Sequence, residues 1–216
     1  MKNNILSSEE ELKSKKLIEI IMTVMEYRNT ETPNHGKKVG AFTRILADYI
    51  NEYYEEVDFS QQELECIGCC AMLHDIGKIA LPDRILLQEG HLTKEEIELF
   101  QTHTLRGAEM VTVLAGLESE MYAKICYDIC KSHHERYDGS GYPEGLKGEN
   151  IPIVAQIVGI ADVYDTLLGE RVYKRAMAKE TAFEEIMEGQ HGIFSPRLLE
   201  CFRMARKRLE EVADEE

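Results

Sequence analysis

The feature that most constrains the fold is a repeated helix-start signal, a Ser or Thr followed three residues later by Glu. It occurs at Ser8, Ser60 and Thr93, and each copy precedes apolar residues that recur every three to four positions. This is the capping box, whose hydroxyl and carboxylate satisfy backbone N–H groups at a helix start. Strand-like alternation of apolar and polar residues is scarce, so the sequence predicts an all-α fold.

Length and charge limit the classes of function. The 216 residues suit one domain, or one domain with a small helical addition. The net charge of −15 argues against binding to a DNA or RNA polymer or to an anionic membrane surface. The chain has no run of about 18 apolar residues and its polar, acidic start is unlike a signal peptide, so we expect a cytoplasmic protein without a membrane span.

The six cysteines lie mostly in apolar helical runs. Cys66 and Cys69 have the spacing of a thiol redox pair or of half a zinc site, but no second close pair follows them. We therefore expect reduced thiols in the core. The cysteines are Cys66, Cys69, Cys70, Cys126, Cys130 and Cys201.

A possible metal site begins with the adjacent residues His74 and Asp75 at the end of an apolar helical run, before Gly77, which can stop a helix. Neighbouring side chains point about 100° apart on a helix, but at a last turn they can converge on one ion. Imidazole and carboxylate together suit Mn, Fe or Zn. Lys78 adds a point charge that could hold a phosphate. On its own the pair fits a capped helix end better, so further ligands are needed.

Further candidate ligands stand near other predicted helix ends. His133 and His134 follow a helix predicted from about Ser119, and the Gly- and Pro-containing loop 135–143 comes next, as a candidate substrate wall. His35 falls in the first turn of a helix predicted to start at Pro33.

Two more candidates have weaker signals. Glu31 lies four residues before His35, and both could reach one ion, but on their own a Glu that stabilises the helix dipole and a surface His explain them better. His103 follows Phe100 by three residues and therefore faces the core, where a histidine is usually hydrogen-bonded rather than bound to metal.

Together these residues resemble the HD phosphohydrolases, and residues 133–143 resemble the signature of the HD-GYP subfamily. Residues 73–79 match the subfamily in the same way, and the resemblance covers roughly residues 28–202. It implies an HD-domain bundle of roughly seven to nine helices. It also implies a division into an N-terminal helix, residues 1–28, and an HD-GYP metal-dependent phosphohydrolase domain, residues 29–216.

The resemblance implies a centre of two or three divalent metal ions, with a hydroxide between ions as the nucleophile. Asp75 or Asp162 would bridge two ions, and a third ion would need Glu31 and His35. Fe or Mn is expected because no implied ligand is a thiolate. The implied ligands are Glu31, His35, His74, Asp75, His103, His133, His134 and Asp162.

The implied reaction is hydrolysis of cyclic di-GMP to linear pGpG, with further cleavage to GMP left open. Lys78 and Asp75 are the implied catalytic residues, and Tyr142 is expected to pack on the ligand. The implied substrate contacts are Lys78, Arg171, Lys174, Gly141, Tyr142 and Pro143.

Residues 150–168 are apolar on nearly every side, which predicts a central buried helix. Asp162 and Asp165 interrupt it, and a buried carboxylate must be paired or bound to metal. Asp162 matches the family's helix-borne ligand, whereas we expect Asp165 to pair with a cation such as Arg171.

The chain departs from the subfamily pattern without losing an implied ligand. Lys38 and Gln156 stand where Arg is usual, Ser195 stands in place of an Asp, and Pro33 in place of a Gly. Lys38 keeps the charge of Arg but not its two-pronged hydrogen bonding. Ser195 can still cap a helix.

Two other readings stay open. One is a cyclic-dinucleotide receptor or interaction module without appreciable turnover, which would keep the pocket but lose a ligand or the lysine. The other is an HD hydrolase that acts on another cyclic dinucleotide or on a nucleotide monophosphate. The expected partners are the cyclic dinucleotide and either a second copy in a homodimer or a separate regulatory protein, because the chain has no room for a large sensor domain.

Overall fold

The computed structural model describes residues 16, 18, 20–25, 27–28, 34–88, 90–113, 120–169 and 176–214. From residue 34 onward these residues form nine α-helices and two 3-10 helices, and they contain no strand, which confirms the predicted all-α fold. The α-helices are α1 (His35–Tyr53), α2 (Gln61–Ala71), α3 (Asp83–Leu86), α4 (Lys94–Gln101), α5 (His103–Thr112), α6 (Glu120–Ser132), α7 (Ile153–Leu168), α8 (Lys179–Met187) and α9 (Pro196–Ala213). The 3-10 helices are Ile76–Ala80 and Gly148–Asn150.

The predicted capping signals work as expected where the structure describes them. The Ser60 hydroxyl accepts a hydrogen bond from the Glu63 N–H, and the Glu63 carboxylate accepts one from the Ser60 N–H. Thr93 opens α4 with the same reciprocal pair. Ser195 caps α9 by accepting a hydrogen bond from the Leu198 N–H at 3.2 Å. The box at Ser8 lies outside the described residues.

Helix α7 is the buried centre of the bundle and packs against α1, α6, α8 and α9. It carries Tyr164, whose ring centroid lies 5.3 Å from that of Phe42 in α1 and 5.3 Å from that of Phe202 in α9. All three aromatic side chains are fully buried, so they join three helices in one core. The helix begins at Ile153 rather than at residue 150, because Pro152 is extended and acts as its N-cap.

Two glycines let backbone segments approach each other next to His74, Asp75 and His133. A Cβ on Gly77 would overlap the carbonyl oxygen of His103, so the 3-10 helix after Asp75 can lie directly against α5. A Cβ on Gly159 would come within 2.6 Å of the His133 carbonyl oxygen, so α7 can lie against the end of α6. Only glycine fits either contact without displacing backbone.

The end of α2 differs from the prediction. The α-helix stops at Ala71, and the N–H groups of Leu73 and His74 bond carbonyls only three residues back, at 2.9 and 3.3 Å. Gly77 does not end the helix with a positive φ; it lies inside the 3-10 helix Ile76–Ala80. The tighter winding turns the His74 and Asp75 side chains toward the interior.

The cysteine prediction is wrong for one pair. Cys70 of α2 and Cys126 of α6 form a disulfide with their Cα atoms 4.9 Å apart, because the two packed helices bring these residues face to face. The spacing along the chain gave no sign of this pair, since 56 residues separate its members. The other four cysteines are thiols.

The described residues between 16 and 28 are helical. Ile18, Met22 and Met25 are buried in the same core as the bundle. Arg28 donates from Nη2 to the Leu81 carbonyl at 3.0 Å and to the Asp83 carboxylate at 2.8 Å. The division of the chain at residues 28 and 29 stays a prediction.

None of the described helices combines the length and the apolar character needed to cross a membrane.

Candidate metal centre

Seven of the eight predicted metal ligands meet in the middle of the bundle, although they come from five separate places in the chain. Six of them form two groups of possible metal donors that share Asp75. Asp162, on α7, lies beside them, with Oδ1 3.4 Å from His35 Nε2 and 3.7 Å from His74 Nε2. The His103 group is Asp75, His103, His133 and His134, and the His35 group is His35, His74 and Asp75.

Three of the histidines are fixed by backbone carbonyls three residues earlier in the chain. His74 Nδ1 lies 2.8 Å from the Ala71 oxygen, and His103 Nδ1 lies 2.8 Å from the Phe100 oxygen. His133 Nδ1 makes the same contact at 3.1 Å. Each of these residues follows the last turn of a helix, where carbonyl groups are left without a partner in the helix. Because a carbonyl only accepts, each Nδ1 carries the proton and each Nε2 turns an electron pair inward.

The inward-facing atoms make no hydrogen bonds with any described residue. This holds for Nε2 of His74, His103 and His133 and for Oδ1 of Asp75, all of them buried. His103 Nε2 nevertheless lies 3.1 Å from Asp75 Oδ1, and His133 Nε2 lies 3.7 Å from it. Buried polar atoms normally have partners, and electron pairs pointed at one another need a cation between them. The residues present therefore fit a divalent metal ion.

Asp75 is the electrostatic centre of the cluster. Burial alone would raise the pKa of its carboxyl group, but Lys78 and His74 outweigh that effect and hold the pKa well below its usual range. Lys78 Nζ lies 2.5 Å from Asp75 Oδ2. For His74, burial lowers the pKa but the adjacent Asp75 carboxylate outweighs it, so the net pKa is raised.

Two histidines of the His103 group, His133 and His134, have lowered pKa values. Burial lowers the pKa of His133 despite the nearby Asp75 carboxylate. Burial, followed by the proximity of His133, lowers the pKa of His134 further, well below its usual range. Neutral imidazole is the form that binds metal, so this part of the cluster is ready for a metal near neutral pH.

His35 is held in a different way. It is the first residue of α1, and its Nδ1 lies 2.6 Å from Oδ2 of Asp165 on α7, with both side chains buried. Asp165 was predicted to pair with a cation such as Arg171, which lies outside the described residues. The partner that the structure shows is His35, because α1 and α7 pack together. Asp162 is less buried than predicted, with 13% of its side chain exposed. Burial would raise its pKa, but His35 and His74 hold the pKa well below its usual range.

The loop 135–143 forms one side of the cluster. The Tyr142 ring stacks on the imidazole of His134, with centroids 4.6 Å apart and an interplanar angle of 30°. Glu135 is buried, and its two carboxylate oxygens accept hydrogen bonds from the backbone N–H groups of Glu144 at 2.8 Å and Leu146 at 2.9 Å. A Cβ on Gly141 would overlap the backbone of residues 134–136, which places this loop directly against the histidine pair.

Three predicted site residues fall on parts of the chain that the structure leaves undescribed. Glu31, Arg171 and Lys174 lie outside the described residues, so their predicted roles stay predictions. Lys78, Gly141, Tyr142 and Pro143 all lie on the segments that border the cluster. The helix start predicted at Pro33 is wrong. Helix α1 begins at His35, after Asn34, whose backbone φ of 65° lies in the left-handed region.

Sequence reasoning missed two residues that hold the site together. Glu135 fixes the loop backbone, and Asp165 holds His35. A carboxylate inside a Gly-rich loop that is pressed onto a helix end needs backbone N–H donors, and that signal could have identified Glu135. The partner of Asp165 had no local signal, since 130 residues separate it from His35.

The fold and the cluster define a class: an all-α domain whose helix ends bring imidazole and carboxylate groups to one buried centre that could hold metal. The chain belongs to the HD domain family, whose model matches residues 6–198. Membership was predicted from the residues that form this cluster, and the comparison confirms it.

Nearly the whole chain is similar in sequence to curated proteins that carry a functional name. A cyclic di-GMP phosphodiesterase of Thermotoga maritima is 38% identical over 91% of this chain and 50% of the relative. A cyclic di-GMP phosphodiesterase response regulator of Xanthomonas campestris pv. campestris is 35% identical over 95% of this chain and 51% of the relative. A 3'3'-cGAMP-specific phosphodiesterase of Vibrio cholerae is 34% identical over 87% of this chain and 34% of the relative.

A solved structure supports the fold independently. The crystal structure of a cyclic GMP-AMP-specific phosphodiesterase from Vibrio cholerae superposes with a TM-score of 0.65 at 19% identity, covering 94% of this chain and 51% of that chain. The chain spans about half the length of the Thermotoga and Xanthomonas relatives, 50% and 51% respectively.

Proposed function

We propose that this chain is a metal-dependent phosphodiesterase that hydrolyses cyclic di-GMP to linear pGpG, with GMP as a possible second product. The observation that carries the proposal is the set of buried Nε2 and Oδ1 atoms that face one another without hydrogen bonds, next to a lysine and an aromatic loop. The names of the relatives support the substrate class, since two of those compared above are designated cyclic di-GMP phosphodiesterases.

We infer a centre of two or three divalent ions, Fe or Mn. Imidazole and carboxylate donors without thiolate favour these metals over structural zinc. The His103 group and the His35 group would each take part, with Asp75 shared between them and Asp162 beside the second. Glu31 is proposed to complete the outermost position. When bound, such ions supply an activated water with a pKa of about 7 and neutralise phosphoryl oxygens.

The protein side chains have separate proposed tasks. Asp75 binds the ions and holds the Lys78 ammonium at 2.5 Å, which leaves that charge at the edge of the cluster for a phosphate oxygen. Tyr142, stacked on His134, provides a flat surface for a base or ribose. Arg171 and Lys174 are proposed to contact the second phosphate of the cyclic dinucleotide. This local positive charge explains how a chain of net charge −15 accepts an anionic substrate.

A second substrate, 3'3'-cGAMP, is favoured by a specific observation. Both a curated relative at 34% identity and the solved structure carry designations for that mixed dinucleotide. The two substrates share the cyclic phosphodiester ring and differ in one base. The stacking surface at Tyr142 accepts either base, because every base has a flat face.

The test is a product assay on the anaerobically purified full chain supplied with Mn²⁺ or Fe²⁺. With cyclic di-GMP or 3'3'-cGAMP as substrate, chromatography is expected to show the linear dinucleotide, formed faster from cyclic di-GMP. Recovery of intact cyclic di-GMP after tight binding with either metal would favour the receptor instead. Faster cleavage of 3'3'-cGAMP would overturn the substrate assignment alone.

A further inference from the structure

One buried contact of the site is unlike the others. His74, His103 and His133 each place Nδ1 on a backbone carbonyl, whereas the His35 Nδ1 lies 2.6 Å from the side chain of Asp165. The two side chains are only 4% and 5% exposed. A carboxylate buried to this degree needs a charged or hydrogen-bonding partner, and His35 supplies it.

The position of His35 in the chain explains why a carboxylate takes this role. The other three histidines each follow the last turn of an α-helix, whose carbonyls are available; His103 follows α4 although it also opens α5. His35 opens α1 directly after Asn34, which lies in a turn. The partner must then come from another element, and α7, which packs against α1, presents Asp165.

The geometry also fixes what the other ring nitrogen does. An ionised carboxylate only accepts hydrogen bonds, so Nδ1 of His35 must carry a proton. In the neutral ring, Nε2 is left with an electron pair that points to Asp162 Oδ1, 3.4 Å away. Asp162 and Asp165, three residues apart on α7, thus flank the two nitrogens of one imidazole. An electron pair facing a carboxylate oxygen at this distance is favourable only with a cation between them.

We propose that Asp165 is a positioning residue that holds His35 in the tautomer with Nδ1 protonated and thereby sets the metal affinity of the His35 group. The inference rests on the proposed function, since it requires a metal centre. A carboxylate behind a histidine ligand fixes the ring and makes the coordinating nitrogen more basic, and loss of such a partner costs about 10- to 100-fold in metal affinity. Asp165 itself touches neither the substrate nor the ion in this account.

The first measurement is manganese binding by the full chain as a function of free Mn²⁺, set by a competing chelator. Asp165→Asn keeps the shape of the side chain but removes its charge. We expect one class of Mn²⁺ sites to weaken by about 10- to 100-fold and the tighter class to stay unchanged. The matched control is Tyr164→Phe, the adjacent residue, which removes a buried hydroxyl that has no hydrogen-bond partner among the described residues. It should bind Mn²⁺ like the wild type.

A second measurement does not depend on the folding of a variant. Nitrogen-15 NMR of the histidine-labelled wild type, with His35→Gln to identify the signal, should show the His35 proton on Nδ1. A His35 ring with a proton on Nε2 and none on Nδ1 would overturn the inference, as would an Asp165→Asn chain whose two classes of Mn²⁺ sites match those of the wild type. Those two results would overturn this inference alone and leave the proposed function standing. A wild-type chain that binds no Mn²⁺ or Fe²⁺ would overturn both.

Discussion

The His103 group and the His35 group occupy one buried centre but are anchored by different parts of the protein. In the His103 group, His103 and His133 are oriented by backbone carbonyls at 2.8 and 3.1 Å. In the His35 group, His74 is oriented in the same way at 2.8 Å, but His35 is oriented by one carboxylate from a distant helix. A backbone anchor does not depend on another side chain, whereas the anchor of His35 is lost with a single change.

This difference predicts where the centre varies. A ligand held by helix ends is as rigid as the bundle core, because moving it requires breaking the packing of α5 and α6. A ligand held by a side chain can be tuned by one substitution on the neighbouring helix. We therefore expect the His103 group to retain its metal under most conditions and the His35 group to decide how many ions are bound.

Asp75→Asn should have the largest effect because Asp75 belongs to both groups. The amide keeps the size of the side chain but removes the charge and half of the acceptor capacity. We expect loss of most bound metal and no detectable hydrolysis of cyclic di-GMP, measured by elemental analysis and product assay. Asp128→Asn is the control, since the Asp128 carboxylate pairs with Lys124 on α6 away from the cluster. Retention of metal by Asp75→Asn would break the assignment of Asp75 as the shared ligand.

Lys78→Ala should separate metal binding from catalysis. The Lys78 ammonium lies 2.5 Å from Asp75 Oδ2 and is proposed to stabilise charge on the phosphate in the transition state. Turnover should fall by about 10²-fold or more while the metal content of both groups is kept. Lys124→Ala is the matched control, because it removes a lysine with the same 2.5 Å distance to an aspartate at the surface. A Lys78→Ala chain that arrives without metal would show that Lys78 supports the ligands instead.

Asp162→Asn tests whether Asp162, which lies beside the His35 group, is a metal ligand. Metal that binds only the folded state stabilises it, so chelation should lower the melting temperature of the wild type. The Asp162 carboxylate is mostly buried, and among the described residues it lies beside His35 and His74 and accepts a hydrogen bond from the Thr166 hydroxyl at 3.4 Å. A buried charge that loses its partners costs several kcal/mol. The neutral variant should therefore lose less melting temperature on chelation and hydrolyse no substrate. Full hydrolysis by Asp162→Asn would remove this residue from the metal site.

The smallest expected effect is a pH dependence that belongs to the His103 group. The pKa of His134 lies well below its usual range in the folded chain, through burial and then through His133. Below about pH 6.5, His134 binds a proton in the unfolded chain but stays neutral in the folded chain. The free energy of unfolding therefore falls as the pH falls. In the chelated protein, thermal scans at pH 7 and pH 5.5 should show this fall, and His134→Gln should show less of it. An equal fall in both proteins would contradict the assignment to His134.

The parts of this architecture that local signals encode were predictable. Ser60 and Thr93 predicted their helix starts, because a capping box involves only four consecutive residues. His133 and His134 were predicted at a helix end for the same reason. The contacts made by tertiary packing were not: the Cys70–Cys126 disulfide joins residues 56 apart in the chain, and no local pattern distinguishes these thiols from the other cysteines.

The candidate site shows the same division. The ligand set followed from a resemblance to a known family, while the anchors behind the ligands did not. A cation such as Arg171 was predicted as the partner of Asp165, and nothing in the sequence pointed to His35, which the packing of α7 on α1 brings to this carboxylate. Sequence reasoning is therefore better at predicting which residues come together than at predicting which contacts hold each of them in place.

The most direct test of the comparison is the metal content of two alanine variants of the anaerobically purified full chain. His35→Ala should lose about one ion per chain and retain those of the His103 group, because His35 has one carboxylate anchor and one place in the centre. His103→Ala should lose more metal than His35→Ala, since His103 Nε2 lies 3.1 Å from the shared Asp75. Equal metal content in the two variants would contradict the division of the centre into two differently anchored groups.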